Sequence, residues 1–101
     1  MENDTILETP ARIHLLITGR VQNVGFRSYV QKVAASLSVT GWVCNLKYDQ
    51  VELVAEASRP LLVQFLRLVK IGPRGSRLDD MEISWEEFSG EFSEFAIRAS
   101  H

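Results

Sequence analysis

The chain passes from its first predicted strand to its first predicted helix through the stretch Gly19-Arg20-Val21-Gln22-Asn23-Val24-Gly25-Phe26-Arg27. An apolar alternating run ends at Thr18, and an amphipathic pattern with helical spacing begins at Phe26, so this stretch is a loop between a strand and a helix. Backbone N–H groups at a helix N-terminus have no intrahelical acceptor, and the helix dipole adds partial positive charge there. The loop is therefore suited to bind an anion such as phosphate.

The side chain of Arg27 adds to this anion-binding character. In the first turn of the helix, its guanidinium can donate two hydrogen bonds to the oxygens of one phosphate. We therefore expect a phosphate-binding loop formed by Gln22, Asn23, Val24, Gly25, Phe26 and Arg27. The loop lacks the Gly-Lys-Ser/Thr ending of a nucleotide P-loop and the three-glycine spacing of a dinucleotide site. Taken alone, it is read equally well as a tight connection with solvated arginines.

Hydrophobic periodicity predicts the other elements. The first strand spans about 12–18 and has an apolar face, and the first helix spans about 26–38. Strands at 40–45 and 51–57 form a predicted hairpin. The second helix follows, with Ser58 as its cap and Gly72-Pro73 at its end. A strand through Met81, Ile83 and Trp85 comes next, and a short strand with Phe95 and Ile97 is last. This order predicts an α+β fold, a ferredoxin-like split βαβ sandwich (βαββαβ plus a short extra strand) with two helices on one face of an antiparallel sheet.

That topology brings two distant residues to the same end of the sheet. The first and third strands lie side by side, and the loop leaving the first strand lies where the second strand finishes, at Asn45. Arg27 and Asn45 are therefore expected to face one phosphate. Without further information Asn45 is best read as a turn residue, because asparagine is common at strand ends.

Length and composition limit the kind of protein. The 101 residues suffice for one core, and we expect a flexible lead-in at residues 1–10 and a single domain at residues 11–101. The net charge of −2 argues against binding of nucleic acid through bulk electrostatics. The third strand also lacks the paired aromatic residues of an RNA-binding sheet.

Cysteine and histidine usage narrows the possibilities further. Cys44 is the single cysteine, so no intramolecular disulfide is expected, and the acidic N-terminus resembles no secretory signal. We therefore expect a cytoplasmic protein. His14 is far from His101, and no His/Cys/Asp cluster has metal-ligand spacing. The expected protein has no metal, no cofactor, no membrane segment and no nucleic-acid partner, and is a monomer.

Two long motifs, Val21 to Arg27 and Gly41-Trp42-Val43-Cys44-Asn45, give the chain a resemblance to the acylphosphatase family. The resemblance continues through Val51-Glu52, Gly72-Pro73 and Phe95-x-Ile97-Arg98, and covers the chain from about Arg12 to Arg98. It implies an enzyme that hydrolyses the carboxyl-phosphate bond of small acyl phosphates to carboxylate and inorganic phosphate without a cofactor. It also implies that Arg27 binds the phosphate and that Asn45 orients the attacking water.

Two departures from the family pattern bear on this expectation. The family usually has glycine where this chain has Asn23, and often glycine where it has Gln50 in the hairpin turn. Asparagine tolerates the left-handed backbone region, so the loop survives if Asn23 adopts it, whereas a glycine-only conformation would force a rearrangement. The alternative function is therefore a phosphate- or anion-binding or regulatory domain with weakened turnover. An accessory domain of a larger maturation enzyme is disfavoured because the chain ends near Arg98.

Overall fold

The structure, a computed structural model, describes residues 9–47 and 49–99. In chain order these residues form β1 (Pro10–Arg20), α1 (Phe26–Ser36), β2 (Thr40–Asn45), β3 (Gln50–Ser58), α2 (Arg59–Ile71), β4 (Arg77–Glu86) and β5 (Phe95–Ile97). The predicted ferredoxin-like order, βαββαβ with one short extra strand, is confirmed. In the part of the chain that the structure describes, no helix is long and apolar enough to cross a membrane.

The five strands form one sheet in the order β4-β1-β3-β2-β5. β1 pairs antiparallel with both β3 and β4, and β2 pairs antiparallel with β3. The pairing of β5 differs from the predicted antiparallel sheet, because β5 runs parallel to β2. The physical reason is that β4 and β5 lie at opposite edges of the sheet. The loop between them crosses the end of the sheet where β2 begins, so β5 starts beside the start of β2 and runs in the same direction.

The core lies between the two helices and one face of the sheet. Ile13, Leu15 and Ile17 are fully buried on β1, as their alternation predicts. The helices contribute buried stripes, Phe26, Val30 and Ala34 from α1 and Leu62, Phe65 and Val69 from α2. These contacts fix α1 on the sheet, so the loop before α1 is held at the end of β1.

Element boundaries shift by one or two residues from those predicted. β1 begins at Pro10 because residues 10 and 11 pair with the end of β3, and it extends to Arg20 by pairing with Arg77 beyond a bulge. α1 ends at Ser36, because Ser38 adopts a positive φ of 56°. Residues 1–8 of the expected lead-in lie outside the described residues.

A buried carboxylate anchors the loop between β4 and β5. Glu56 accepts hydrogen bonds from the N–H and hydroxyl of Ser89, both at 2.9 Å, and from the N–H of Gly90 at 3.0 Å. Arg12 completes the set with an ion pair at 3.2 Å. Burial favours the neutral acid, but these donors together hold the pKa of Glu56 below its ordinary value. The loop is thereby fixed on a path that leads β5 to β2.

Candidate active site

A cavity of about 160 Å³ lies at the end of the sheet where β1 and β2 finish. Its lining residues are Val21, Gln22, Asn23, Gly25, Phe26, Arg27, Ser28, Asn45 and Ile97. Arg27 and Asn45 thus lie in one pocket, as their predicted places in the topology imply. Val24 of the predicted loop does not line the cavity, and its side chain lies near Gly75, beyond α2.

Sequence reasoning did not place Val21, Ser28 and Ile97 in the site. Ile97 reaches it because β5 pairs with β2 in parallel, with Ile97 opposite Val43, two residues before Asn45. A three-residue strand gives no periodicity from which this register could be predicted. Val21 and Ser28 flank the predicted loop, so a wider window around it would have included them.

The backbone of the loop turns through two left-handed residues. Asn23 has a φ of 60° and Gly25 a φ of 74° with a ψ of 22°. Asn23 therefore adopts the conformation that asparagine tolerates, and its departure from glycine is compatible with an intact loop. A Cβ at Gly25 would meet no atom within 4 Å, so only its backbone conformation disfavours a larger residue there.

The loop and the first turn of α1 present a run of unused hydrogen-bond donors. Within residues 9–47 and 49–99, none of the backbone N–H groups of residues 22–28 donates to an acceptor, and the helix begins with the bond from Tyr29 N–H to the Gly25 carbonyl at 3.0 Å. No side chain caps α1. Consecutive free N–H groups at a helix N-terminus form a concave site for an anion.

The guanidinium of Arg27 is available to the same anion. Arg27 is half-buried at the cavity wall, and it makes no ion pair or side-chain hydrogen bond with any described residue. The first turn of α1 contains no acidic residue that would compete for it. Its fork of donors can therefore bind two oxygens of a tetrahedral oxyanion.

Asn45, the last residue of β2, contributes an amide to the cavity. Its Oδ1 atom is buried and has no hydrogen-bond partner in the part of the chain that the structure describes. A buried carbonyl oxygen left unpaired costs about 1–3 kcal/mol, so such atoms are rare unless they have a role. Oδ1 can accept a hydrogen bond from a water molecule or a ligand hydroxyl.

The neighbouring thiol and the nearby histidine do not join this site. Cys44 is fully buried, and its strand position directs it to the sheet face opposite Asn45. Burial and, next, the carboxylate of Glu52 raise the pKa of the Cys44 thiol, against the opposing effects of Arg98 and Arg27. His14 lies on that outer face too, with Nε2 at 2.7 Å from Glu52. Neither residue lines the cavity.

The side chains around the cavity do not form a metal site in the described part of the chain. Among residues 9–47 and 49–99, no three His, Cys, Asp or Glu side chains are grouped so that they could hold a metal ion. The polar groups of the residues that line the cavity are backbone N–H donors, the Arg27 guanidinium, the amides of Gln22, Asn23 and Asn45, and the Ser28 hydroxyl. These are the groups that bind and stabilise a phosphoryl oxyanion.

Comparison with known proteins identifies relatives with the same architecture. The sequence profile of the acylphosphatase family matches residues 13–97. The acylphosphatase of Pyrobaculum aerophilum is 43% identical over 88 residues, which cover 86% of this chain and 93% of that protein. The acylphosphatase of Syntrophotalea carbinolica is 42% identical over 89 residues, which cover 88% and 97%.

Solved structures show the same similarity. The crystal structure of acylphosphatase from Bacillus subtilis superimposes with a TM-score of 0.83 at 32% identity, covering 87% of this chain and 98% of that one. Full-length HypF in its phosphate- and nucleotide-bound form superimposes with a TM-score of 0.84 at 26% identity, over 92% of this chain and 12% of that one. By its sequence profile, its relatives and its fold, this chain belongs to the acylphosphatase family.

Proposed function

We propose that this acylphosphatase hydrolyses the carboxyl-phosphate bond of small acyl phosphates in the cavity between Arg27 and Asn45, releasing a carboxylate and inorganic phosphate. One observation carries the proposal. The N–H groups of residues 22–28 have no acceptors among the described residues, and all of these residues except Val24 line a cavity that also contains the unpaired Arg27 guanidinium. This is a site built for a small dianion.

In the proposed mechanism the loop and Arg27 hold the phosphoryl group. Phosphoryl transfer passes through a loose transition state in which charge spreads over the three equatorial oxygens. Fixed N–H donors and a bidentate guanidinium stabilise that charge without reorganising during the reaction. The carboxylate of an acyl phosphate is a good leaving group, so the bond breaks without strong acid catalysis.

Asn45 is proposed to position the attacking water. Its unpaired Oδ1 accepts a hydrogen bond from a water molecule, which holds the water oxygen in line with the bond that breaks. The water oxygen bonds to phosphorus as the phosphorus-to-carboxylate oxygen bond breaks, and the carboxylate leaves with the bonding electrons. A phosphoryl oxygen takes the water proton, so the protein supplies no general base.

The size of the cavity suits a small substrate. A volume of about 160 Å³ accommodates a phosphoryl group and a short acyl chain, and Val21, Phe26 and Ile97 provide apolar surface beside them. A longer acyl group would extend into solvent. We therefore propose that the phosphoryl group supplies most of the binding energy and that selectivity among short acyl groups is low.

The alternative function is an anion-binding or regulatory domain. In an anion-binding or regulatory domain on the same fold, Asn23 would weaken turnover while the loop still bound phosphate. The left-handed φ of 60° at Asn23 favours the enzyme, because the loop keeps its shape with asparagine in place.

Steady-state hydrolysis of acetyl phosphate, with inorganic phosphate as inhibitor, tests the proposal. The wild-type protein should turn over, and phosphate should inhibit competitively. Arg27→Ala should nearly abolish activity and Arg27→Lys should recover little, because a point charge cannot reproduce a bidentate fork. Circular dichroism checks that both variants fold. Phosphate binding without hydrolysis in the wild-type protein would favour the regulatory domain, and near wild-type activity of Arg27→Lys would contradict the role of Arg27.

We propose that the protein is cytoplasmic and monomeric. Cys44 is the single cysteine of the chain and is fully buried, so a disulfide-linked dimer would require β2 to open. Light scattering coupled to size-exclusion chromatography gives the oligomeric state directly, and a mass of two chains would contradict this proposal.

A further inference from the structure

We propose that the side chain of Gln22 is a positioning residue that ties the phosphate-binding loop to the end of the β2–β3 hairpin and so fixes the loop relative to Asn45. This inference rests on the proposed function, because it concerns how the two halves of that site are held together. Gln22 belongs to the loop and lines the cavity. Its amide group, however, bonds to the hairpin.

The amide nitrogen of Gln22 bonds to the hairpin. Nε2 donates to the backbone carbonyl of Lys47 and to that of Gln50, the latter at 2.9 Å. A primary amide has two N–H donors, and both acceptors of this nitrogen are hairpin carbonyls, so the amide nitrogen is directed to the hairpin. The Gln22 side chain therefore bonds to the hairpin, while its backbone N–H is one of the free donors of the loop.

Both acceptor carbonyls also accept backbone hydrogen bonds within the hairpin. Gln50 N–H donates to the Lys47 carbonyl at 3.1 Å, and Leu46 N–H donates to the Gln50 carbonyl at 3.0 Å. Gly19 N–H on β1 also donates to Asp49 at 2.9 Å. These bonds hold both carbonyls in place, so they are fixed anchors for the loop.

One carbonyl joins the two halves of the site. The Gln50 oxygen accepts both from Gln22 in the loop and from Leu46, the residue directly after Asn45. A shift of the loop away from this oxygen would therefore change the distance from the bound phosphoryl group to Asn45. The hairpin thus connects the loop to the end of β2 through hydrogen bonds to one carbonyl.

The loop needs such an anchor because its own backbone donors are unused. A loop is ordinarily stiffened by bonds between its N–H and carbonyl groups, but the N–H groups of residues 22–28 find no acceptor among residues 9–47 and 49–99. Donors that are kept free for a ligand cannot also brace the loop. The Gln22 side chain braces it instead.

Gln22→Leu removes the tie while keeping similar volume, and Gln22→Met removes it with an unbranched, uncharged side chain. A displacement of about 1 Å at a reacting centre costs on the order of 10²-fold in rate. We expect both variants to lower kcat by about 10- to 100-fold and to change the inhibition constant of inorganic phosphate by less than about threefold. A large rise in that constant with kcat preserved would overturn the inference, since Gln22 would then bind phosphate itself.

Gln50→Leu is the matched control. Among residues 9–47 and 49–99, its side-chain amide donates to Thr18 Oγ1 alone, at 3.3 Å, and the variant retains the backbone carbonyl. This variant also removes a glutamine amide from the same end of the sheet, but it should leave kcat within about twofold of wild type. Thermal unfolding of all variants shows whether any loss of rate follows loss of stability. A rate loss in Gln50→Leu equal to that in Gln22→Leu would overturn the inference.

A double-mutant cycle distinguishes positioning from general disruption. If Gln22 acts by setting the place of Asn45, Gln22→Leu should cost little further kcat in a protein that already carries Asn45→Ala. Full additivity of the two losses would contradict this. The outcome is independent of the absolute rate of the wild-type enzyme.

A structural readout separates failure of this inference from failure of the proposed function. Hydrogen exchange at the Leu46 amide, which shares its acceptor with Gln22, should be faster in Gln22→Leu than in wild type and unchanged in Gln50→Leu. This holds whether or not acetyl phosphate is hydrolysed. Unchanged exchange in Gln22→Leu would overturn the tie, whereas absence of wild-type hydrolysis would overturn only the proposed function.

Discussion

The buried, unpaired oxygen of Asn45 lowers the stability of the fold, and the protein retains it nevertheless. Oδ1 has no partner within residues 9–47 and 49–99, although such an atom destabilises the fold by about 1–3 kcal/mol. Selection for stability alone would replace it with a small apolar residue. Its presence fits a group that becomes satisfied only when water and substrate are bound.

Asn45→Ala should therefore separate activity from stability. We expect kcat to fall by about 10²-fold or more with little change in KM, because a water-positioning group acts mainly in the transition state. The free energy of unfolding should stay equal or rise slightly, because the unpaired oxygen is gone. Steady-state kinetics and urea unfolding measure the two. A normal kcat with a raised KM would make Asn45 a substrate-binding residue instead.

The left-handed conformation of Asn23 permits a second test on a single residue. Asparagine at this φ of 60° costs up to about 1 kcal/mol relative to glycine, which also gains entropy when unfolded. Asn23→Gly should therefore keep or raise phosphate affinity and kcat/KM with little change in stability. Asn23→Val, with a β-branched side chain, should weaken both. A sharp loss in Asn23→Gly would show that the asparagine side chain itself binds the ligand or braces the loop.

At the residue scale, some parts of the site were open to prediction and others were not. Arg27 and the loop follow from a strand-to-helix transition, which leaves a clear pattern in the sequence. The tie made by Gln22 leaves no such pattern, because its acceptors are backbone carbonyls that any residue carries. The sequence also cannot show whether an amide oxygen such as that of Asn45 finds a partner.

Among the elements, β1 to β3 and both helices followed from periodicity because each is long enough to repeat its pattern. β5 is three residues long, and its partner was set by the path of the preceding loop. That path depends on Glu56, a charged residue that is buried. The alternation of apolar and polar residues along β3 does not by itself predict that this position is buried. The loop bonds that Glu56 accepts form only in the folded protein.

Glu56 gives an element-scale prediction on pH. Its folded pKa lies below its ordinary value near 4.5, so the stability it contributes is present above that value and is lost as the pH falls through the folded pKa. Glu56→Gln should lower the free energy of unfolding by about 2–4 kcal/mol at pH 7, because it leaves Arg12 and the loop donors poorly paired. The difference from wild type should shrink at pH 3. Urea unfolding at both pH values checks this, and an equal difference at both would contradict it.

Across the whole molecule, positive charges predominate at the cavity end of the sheet and negative charges at the other end. At the end with the cavity, Arg20 ends β1, Arg77 begins β4, and Arg27, Lys47, Arg74 and Arg98 lie in or beside adjoining elements. The acidic residues at this end are Asp49, Asp79 and Asp80, of which Asp79 pairs with Arg77. At the other end and in the loop that crosses it, the carboxylates of Glu56, Glu86, Glu87, Glu91 and Glu94 outnumber the guanidinium groups of Arg12 and Arg59. A protein with a net charge of −2 thus presents a locally positive entrance to an anionic substrate.

This division predicts a salt dependence. kcat/KM for acetyl phosphate should fall as ionic strength rises from about 0.01 M to 0.15 M, where the screening length shortens from about 30 Å to 8 Å, while kcat changes little. Arg74→Gln should lower the low-salt kcat/KM and flatten the dependence. Lys32→Gln makes the same change in net charge on the exposed side of α1 and should do neither. An equal effect of the two substitutions would show that only net charge matters.

The crossing of the sheet by residues 87–94 has a consequence for how the molecule is made. While the chain is being synthesised, the phosphate loop, α1 and the hairpin emerge long before β5, so the outer edge of β2 is unpaired until the last strand arrives. An uncovered strand edge is a template for pairing with another chain. Ile97 closes the cavity in the same step that covers this edge. Catalytic competence and protection from aggregation are thus acquired together, by a segment of three residues.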